Sequence, residues 1–212
     1  MPFRVISFDM EGTLIDHSFS TRIWENEIPR LYSIAKNLPL KQAKIEVINQ
    51  YKEVGEGEPE WYDIKYWWNR LGLSGNHKSM LNENIQFCHL YTDAEEILKR
   101  FSSQYSLIIC SNTIRDFLEI QLRCFKVSFA RIISAPSDYY TLKSNPAFYH
   151  RVCRDLGIKS NELVHIGDNA ESDYRAAIAA GVQAFHLDRS RELVGPDVVH
   201  TLMEFGERLY RS

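Results

Sequence analysis

The stretch Arg4-Val5-Ile6-Ser7-Phe8-Asp9-Met10-Glu11-Gly12-Thr13-Leu14 decides the fold of this chain. Its first five residues are mostly apolar and β-prone, a pattern that predicts a short buried strand ending at Asp9. Gly12 then indicates a tight loop. An acidic residue directly after a buried strand is a candidate for chemistry, and the rest of the chain is interpreted outward from it.

Beyond residue 91 the chain alternates short apolar strands with helices. Strands are predicted at 106–110, 130–134, 163–166 and 182–187, and helices at 114–124, 145–156, 172–180 and 199–209. Thr92 and Glu95 have capping-box spacing, which predicts Thr92 as a helix N-cap, while Asn145-Pro146 and Gly157 predict the start and end of another helix. Because parallel strands need crossover connections, this alternation predicts an α/β fold with a doubly wound parallel sheet.

Between the first strand and this alternating region lies a block of predicted helices. Amphipathic segments at 23–35, 41–54, 61–71 and 78–87 are separated by proline- and glycine-containing breaks. We therefore expect an α-helical insertion at residues 17–90 in a core formed by residues 1–16 and 91–212. The helical spacing of Trp61, Ile64, Trp68 and Leu71 favours packing inside this insertion over the lining of a substrate pocket.

Composition excludes several classes of function. The chain has 212 residues, a hydrophobic fraction of 44% and a formal net charge of -3, which is typical of a globular protein with one principal core and gives no footprint for nucleic acid or an acidic membrane. The nearest candidates for such a footprint are Arg189 and Arg191, which we interpret as residues of a solvated loop. No apolar run approaches the length of a membrane span, and the four cysteines lack C-x-x-C spacing. We expect a cytoplasmic protein; oligomeric state is not predicted.

Polar side chains cluster after the predicted strands and before the helix at 145, where an open parallel sheet binds its ligands. They are Asp9, Glu11, Ser111, Asn112, Lys143, Asp168 and Asp173. Four carboxylates beside one lysine would repel one another unless a hard cation lay among them, and such cations take oxygen ligands. The pattern therefore predicts a Mg²⁺ site.

This ordered set resembles the haloacid dehalogenase superfamily, whose motifs are a strand ending in D-x-D-G-T, a strand ending in Ser or Thr, a Lys, and G-D-x-x-x-x-D. The resemblance implies a Rossmann-like core with a helical cap of the first type inserted after the first motif. It also implies a magnesium-dependent phosphatase that hydrolyses a small phosphorylated metabolite through an aspartyl-phosphate intermediate.

The same resemblance implies roles at the matching positions. Asp9 and Glu11 would be the catalytic nucleophile and the acid–base group. The phosphoryl group would be held by Ser111, by the backbone near Asn112 and by Lys143. The metal ligands would be Asp9, the Glu11 backbone carbonyl and Asp168, with Asp173 supporting the site.

Glu11 departs from the family pattern, because phosphatases of this superfamily usually have Asp at that position. Glu carries the same titrating group on a longer stem, and the D-x-E-G-T motif resembles the enolase-phosphatase branch. A second departure is Ser144, where the family often has proline. Dehalogenase or phosphonate hydrolase chemistry remains an alternative, as does a non-catalytic binding protein on this fold. For His17 and Arg22, substrate contact and an exposed linker are equally compatible with the sequence.

Overall fold

A six-stranded parallel sheet organises the computed structural model, which describes residues 3–211. Its strands are β1 (Val5–Phe8), β2 (Ser106–Ser111), β3 (Arg131–Ser134), β4 (Leu163–Gly167), β5 (Gln183–Leu187) and β6 (Val198–Val199). They lie in the order β3-β2-β1-β4-β5-β6. Phe8 is level with Ile109 of β2 and Ile166 of β4, so the carboxyl ends of the three central strands meet at one edge.

Helices fill the connections between the strands. Six precede residue 90: α1 (Ser18–Arg22), α2 (Ile28–Lys36), α3 (Leu40–Val54), α4 (Pro59–Tyr62), α5 (Ile64–Arg70) and α6 (His77–Glu83), with a π-helical turn, Ile23–Glu27, joining α1 to α2. We call α1 to α6 the helical insertion. The others are α7 (Thr92–Phe101), α8 (Arg115–Gln121), α9 (Ala135–Tyr139), α10 (Pro146–Leu156), α11 (Ala176–Ala179) and α12 (Leu202–Arg211).

Both faces of the sheet are covered, as the predicted doubly wound α/β fold requires. Successive strand side chains point to opposite faces. Ile6 and Phe8 belong to one buried cluster, which includes α7 and α12, whereas Val5 belongs to a second cluster with α10 and α11. The sheet therefore has an apolar interior on each side, apart from the buried Ser7 of β1 and His165 of β4.

Several element boundaries differ from the sequence predictions. The N-cap of α7 is Tyr91, so the prediction of Thr92 as the cap was wrong. The amide of Tyr91 donates to the carbonyl of Leu14. Tyr91 is therefore the last residue outside the helix, and α7 begins at Thr92, one residue earlier than expected. The predicted helix at 199 begins at Leu202, because Val199 pairs with Leu187 in β6.

Two predicted helix signals are confirmed. The side chain of Asn145 accepts a hydrogen bond from the amide of Ala147 (3.0 Å), and Gly157 ends α10 with φ of 65°. Within residues 3–211, no helix is both long enough and apolar enough to cross a bilayer.

The apolar residues in and around α5 of the helical insertion differ in how deeply they are buried. Ile64, Trp67, Trp68 and Leu71 are buried, which agrees with the expected packing role. Trp61 is only half-buried, and its backbone carbonyl accepts a hydrogen bond from the Trp67 indole at 2.9 Å. The packing interpretation therefore holds for α5 but leaves part of the Trp61 ring open.

Replacing Trp67 with alanine is predicted to lower the free energy of unfolding by about 3–5 kcal/mol, because a fully buried ring is lost and a cavity remains. Denaturant titration measures this change. The matched control is Val194→Ala at a side chain that is 98% exposed, for which we expect a change within about 0.5 kcal/mol. Equal stability of the two variants would contradict the packing described above.

Candidate active site

Asp9 lies at the centre of the sheet edge where β1, β2 and β4 end. Its amide donates to the carbonyl of Ile166 at 2.9 Å, which extends the ladder between β1 and β4 by one residue. The residue is 6% exposed. The strand register therefore fixes the backbone of Asp9 and directs its carboxylate into a nearly closed space.

Lys143 provides the cation inside this space. Its ammonium donates to Oδ1 of Asp9 and to Oδ1 of Asp173, the latter at 2.5 Å. The backbone amide of Lys143 donates to the side-chain carbonyl of Asn112 at 2.8 Å. The side chain of Asn112 thus anchors the loop that carries the lysine, in addition to the backbone role predicted near this residue.

The charges of this cluster are unequally compensated. Burial alone would lower the pKa of Lys143, but the carboxylates of Asp173 and Asp9 outweigh it and raise that pKa above its usual range. Burial would likewise raise the pKa of Asp173, yet Lys143 and His165 lower it. For Asp9, burial prevails and raises the pKa to about 7. One ammonium thus serves two carboxylates, and Asp9 is the less stabilised of them.

His165 lies behind the cluster and was missed by sequence reasoning. It is fully buried, with Nδ1 2.9 Å from the Ser7 hydroxyl and Nε2 3.1 Å from Oδ1 of Asp173. Burial lowers the pKa of His165. A neutral ring facing a carboxylate must donate from Nε2 and accept at Nδ1. The only sequence signal was a polar residue inside the apolar run of β4.

Three carboxylates form a candidate metal centre. One oxygen each from Asp9, Asp168 and Asp173 lies within 4.8 Å of the others. Asp173 is already occupied, since Oδ1 binds Lys143 and Oδ2 accepts from the Asn169 amide at 2.9 Å. Asp9 and Asp168 remain as oxygen donors, and such donors suit a hard cation such as Mg²⁺.

Glycine is required on both sides of this centre. Gly12 has φ of +78°, and a Cβ there would lie 2.1 Å from Oδ2 of Asp168. A Cβ on Gly167 would lie 2.2 Å from Cγ of Asp173. Both glycines of the sequence motifs therefore make room for a carboxylate.

Glu11 follows Asp9 by two residues in the loop after β1 and lines a cavity together with Thr113. Its Oε1 accepts a hydrogen bond from Nε2 of Gln121, a fully buried residue of α8. Within residues 3–211, Oε1 of Gln121 has no hydrogen-bond partner. Burial raises the pKa of Glu11 to about 7. Gln121 is a second residue that sequence reasoning missed.

The remaining predicted residues occupy distinct positions. Ser111 is buried at the end of β2, and its Oγ accepts from the Thr113 amide at 3.2 Å. His17 lines the cavity, with Nε2 3.7 Å from Oδ2 of Asp168. Arg22 instead pairs with Glu27 and donates to Asn84, so it belongs to the packing of the helical insertion.

Arg189 corrects the expectation of a solvated loop. Its guanidinium donates to the carbonyls of Gly12 (3.2 Å) and Thr13 (2.6 Å) and to both carboxylate oxygens of Asp93, and it lies 3.8 Å from the ring centroid of Tyr91. The planar guanidinium carries several N–H donors, so it can bind the two backbone carbonyls and the carboxylate at the same time. Arg189 therefore fastens the loop after β1 to the start of α7.

The chain belongs to the haloacid dehalogenase-like hydrolases, because the model of that family matches residues 3–181. It is therefore a hydrolase of the haloacid dehalogenase superfamily. Over 186 residues it is 23% identical to the GMP/IMP nucleotidase YrfG of Escherichia coli (strain K12), a match that covers 84% of this chain and 79% of the relative.

Solved structures show the same fold. The HAD phosphatase of Thermococcus onnurineus superposes with a TM-score of 0.83 at 18% identity, over 98% of each chain. A putative HAD-hydrolase, YfnB of Bacillus subtilis, gives 0.70 at 19% identity over 99% of this chain and 100% of that one. A 2-haloacid dehalogenase of Pseudomonas syringae pv. Tomato DC3000 gives 0.70 at 16% identity over 99% of each chain.

Lys143→Met is predicted to lower the free energy of unfolding by about 3–5 kcal/mol, because two buried carboxylates lose their cation. Asp9→Asn is predicted not to lower it, since it removes the less stabilised of the two. Thermal or denaturant unfolding in the presence of chelator compares the variants. A Lys143→Met protein as stable as the wild type would contradict the described charge balance.

Gln121→Leu is predicted to lower kcat by roughly tenfold with little change in KM, because Glu11 loses its hydrogen-bond donor. In a Glu11→Asp background the same replacement should have little further effect, since the shorter stem does not reach Gln121. Steady-state kinetics of the four proteins in this double-mutant cycle test the prediction. Additive effects would mean that Gln121 acts independently of Glu11.

Proposed function

We propose that the protein is a magnesium-dependent phosphatase that hydrolyses a small phosphorylated metabolite through an aspartyl-phosphate at Asp9. The observation that carries the proposal is the unequal charge balance at the end of β1. Lys143 binds only Oδ1 of Asp9, while the carboxylates of Asp9 and Asp168 lie together beside it. Such a site is suited to bind a cation and an incoming phosphoryl group, which a solvated surface loop is not.

Mg²⁺ would be held by Asp9, Asp168 and the Glu11 backbone carbonyl, and when bound it supplies positive charge to the transferring phosphoryl group. Lys143 positions Asp9 through Oδ1, so that the other oxygen attacks phosphorus. The Ser111 hydroxyl and the backbone at Asn112 hold phosphoryl oxygens. Asp173 has both oxygens engaged, so its task is to orient Lys143.

Glu11 completes the chemistry as acid and then base. It protonates the oxygen of the departing alcohol and later accepts a proton from the water that attacks the aspartyl-phosphate. A pKa of about 7 suits a group that must do both near neutral pH. The hydrogen bond from Gln121 orients the carboxyl, which compensates for the additional methylene of Glu relative to Asp.

Residues 17–90 act as a cap in this proposal, over a core of residues 1–16 and 91–212. A cavity of about 670 Å³ is lined by both parts, by Trp24 and Tyr51 from the helical insertion and by Glu11 and Phe117 from the core. Closure of such a cap excludes water from the reacting groups and admits the alcohol part of the substrate.

Phosphatase activity is favoured over dehalogenase chemistry by Glu11 together with Asp168, because dehalogenation requires neither a metal nor a second carboxylate in the first motif. The nucleotidase activity in the name of the Escherichia coli relative supports the same choice. The four cysteines are free thiols, in keeping with the proposed cytoplasmic location.

The purified protein is predicted to hydrolyse an aryl phosphate in the presence of Mg²⁺ and to lose this activity with chelator or on Asp9→Asn replacement. Phosphate release measures the reaction. Release of halide from a 2-haloacid without metal would support the dehalogenase alternative. A folded protein inactive on a broad panel of phosphate esters would support a binding protein.

A further inference from the structure

Four aromatic rings form a continuous row along the cavity above Glu11. Phe117 of α8 stacks on Trp24, with centroids 5.4 Å apart and planes 11° from parallel. Trp24 then meets Tyr51 at 6.0 Å, and Tyr51 meets Trp61 at 5.9 Å. All four residues line the cavity. The row therefore joins the core to the helical insertion.

Burial separates this row from the aromatic packing of the insertion. Trp67 is fully buried and Trp68 is nearly so, whereas Trp24, Trp61 and Tyr62 are only half-buried. A large ring left partly open on a concave surface gains from being covered by another apolar or aromatic surface. These three residues pack against the core but are covered by it only in part, so the rest of each side chain is available to a ligand in the cavity.

Tyr62 connects the row to the phosphoryl end of the site. Tyr62 lines the cavity together with Glu11 and Trp61. Burial and the charge of Glu56 raise the pKa of its phenol, and Lys143 and Asn112 act in the opposite direction. A ligand in this cavity whose phosphoryl group reaches Asp9 would have Glu11, Tyr62 and Trp61 in its lining.

Charge at the open rim argues against an anionic leaving group. Glu25 and Glu56 are exposed there with Lys52 as the single exposed lysine of the lining, and Glu11 lies at the floor. A second phosphate or a carboxylate on the ligand would be repelled by these groups. A neutral ring with hydrogen-bond donors and acceptors on its edge can bind both the carboxylates of Glu25 and Glu56 and the ammonium of Lys52.

We propose that Trp24 and Trp61, the two half-buried members of this row, bind a planar aromatic ring in the alcohol part of the substrate, with the buried rings of Phe117 and Tyr51 packed behind them, which makes nucleoside monophosphates the substrate class. This proposal rests on the proposed phosphatase function. A nucleoside places its ring several bonds from the ester oxygen, and the cavity has Glu11 and the two half-buried rings in one lining. A volume of about 670 Å³ is ample for a purine nucleoside.

The test compares a purine nucleoside 5′-monophosphate with glycerol 2-phosphate, which has no ring. Trp61→Leu removes one ring and keeps the backbone carbonyl that binds Trp67. We expect kcat/KM for the nucleotide to fall roughly tenfold, in line with the stacking of one base on one ring, and that for glycerol phosphate to stay within about twofold. The control is Tyr66→Leu in α5, an aromatic outside the cavity lining, which should change neither value.

Binding of the free purine nucleoside, followed by tryptophan fluorescence or calorimetry, separates this proposal from the phosphatase proposal. Binding that weakens on Trp61→Leu in a protein that hydrolyses no phosphate ester would leave the ring site standing and overturn the phosphatase. Hydrolysis of both esters at equal rates, with Trp61→Leu without effect on either and no nucleoside binding, would overturn the ring site and leave the phosphatase intact.

Discussion

The structure of the site depends on one buried ammonium shared by two carboxylates. Lys143 lies between Asp9 and Asp173, and both the lysine and Asp173 are almost fully buried. His165 and the Asn169 amide hold Asp173 in place from behind. The lysine is therefore fixed by Asp173, while it binds only one oxygen of Asp9 and balances the charge of that carboxylate only in part. A carboxylate in that condition suits transfer of a phosphoryl group.

Around this cluster the fold supplies three constraints. Parallel register aligns the ends of β1, β2 and β4; Gly12 and Gly167 leave room for the carboxylates of Asp168 and Asp173; and Arg189 fastens the loop that carries Glu11 to α7. The helical insertion adds the aromatic side of the cavity. Each constraint acts on backbone position, so small displacements of the loop after β1 would change both the candidate metal centre and the proposed acid–base group.

Much of this arrangement is predictable from the sequence. The strand before Asp9, the alternation after residue 91 and the order of the polar residues predict the sheet and the set of side chains at its edge. His165 was missed because a polar residue within an apolar strand has no periodic signal of its own. Gln121 was missed because the sequence of an amphipathic helix does not show which of its polar residues is buried. Thr92 was assigned as a cap because local spacing does not include the pairing of Tyr91 with Leu14. The half-open state of Trp61 depends on tertiary packing, which helical spacing alone does not contain.

The most direct measurement is to identify the side chain that receives the phosphoryl group. The protein is mixed with a phosphate ester and Mg²⁺, quenched in acid within one turnover, digested and analysed by mass spectrometry. The account predicts an acyl phosphate on the peptide that contains Asp9, absent from the Asp9→Asn protein. Phosphate found on any other side chain, or turnover without a phosphorylated intermediate, would contradict it.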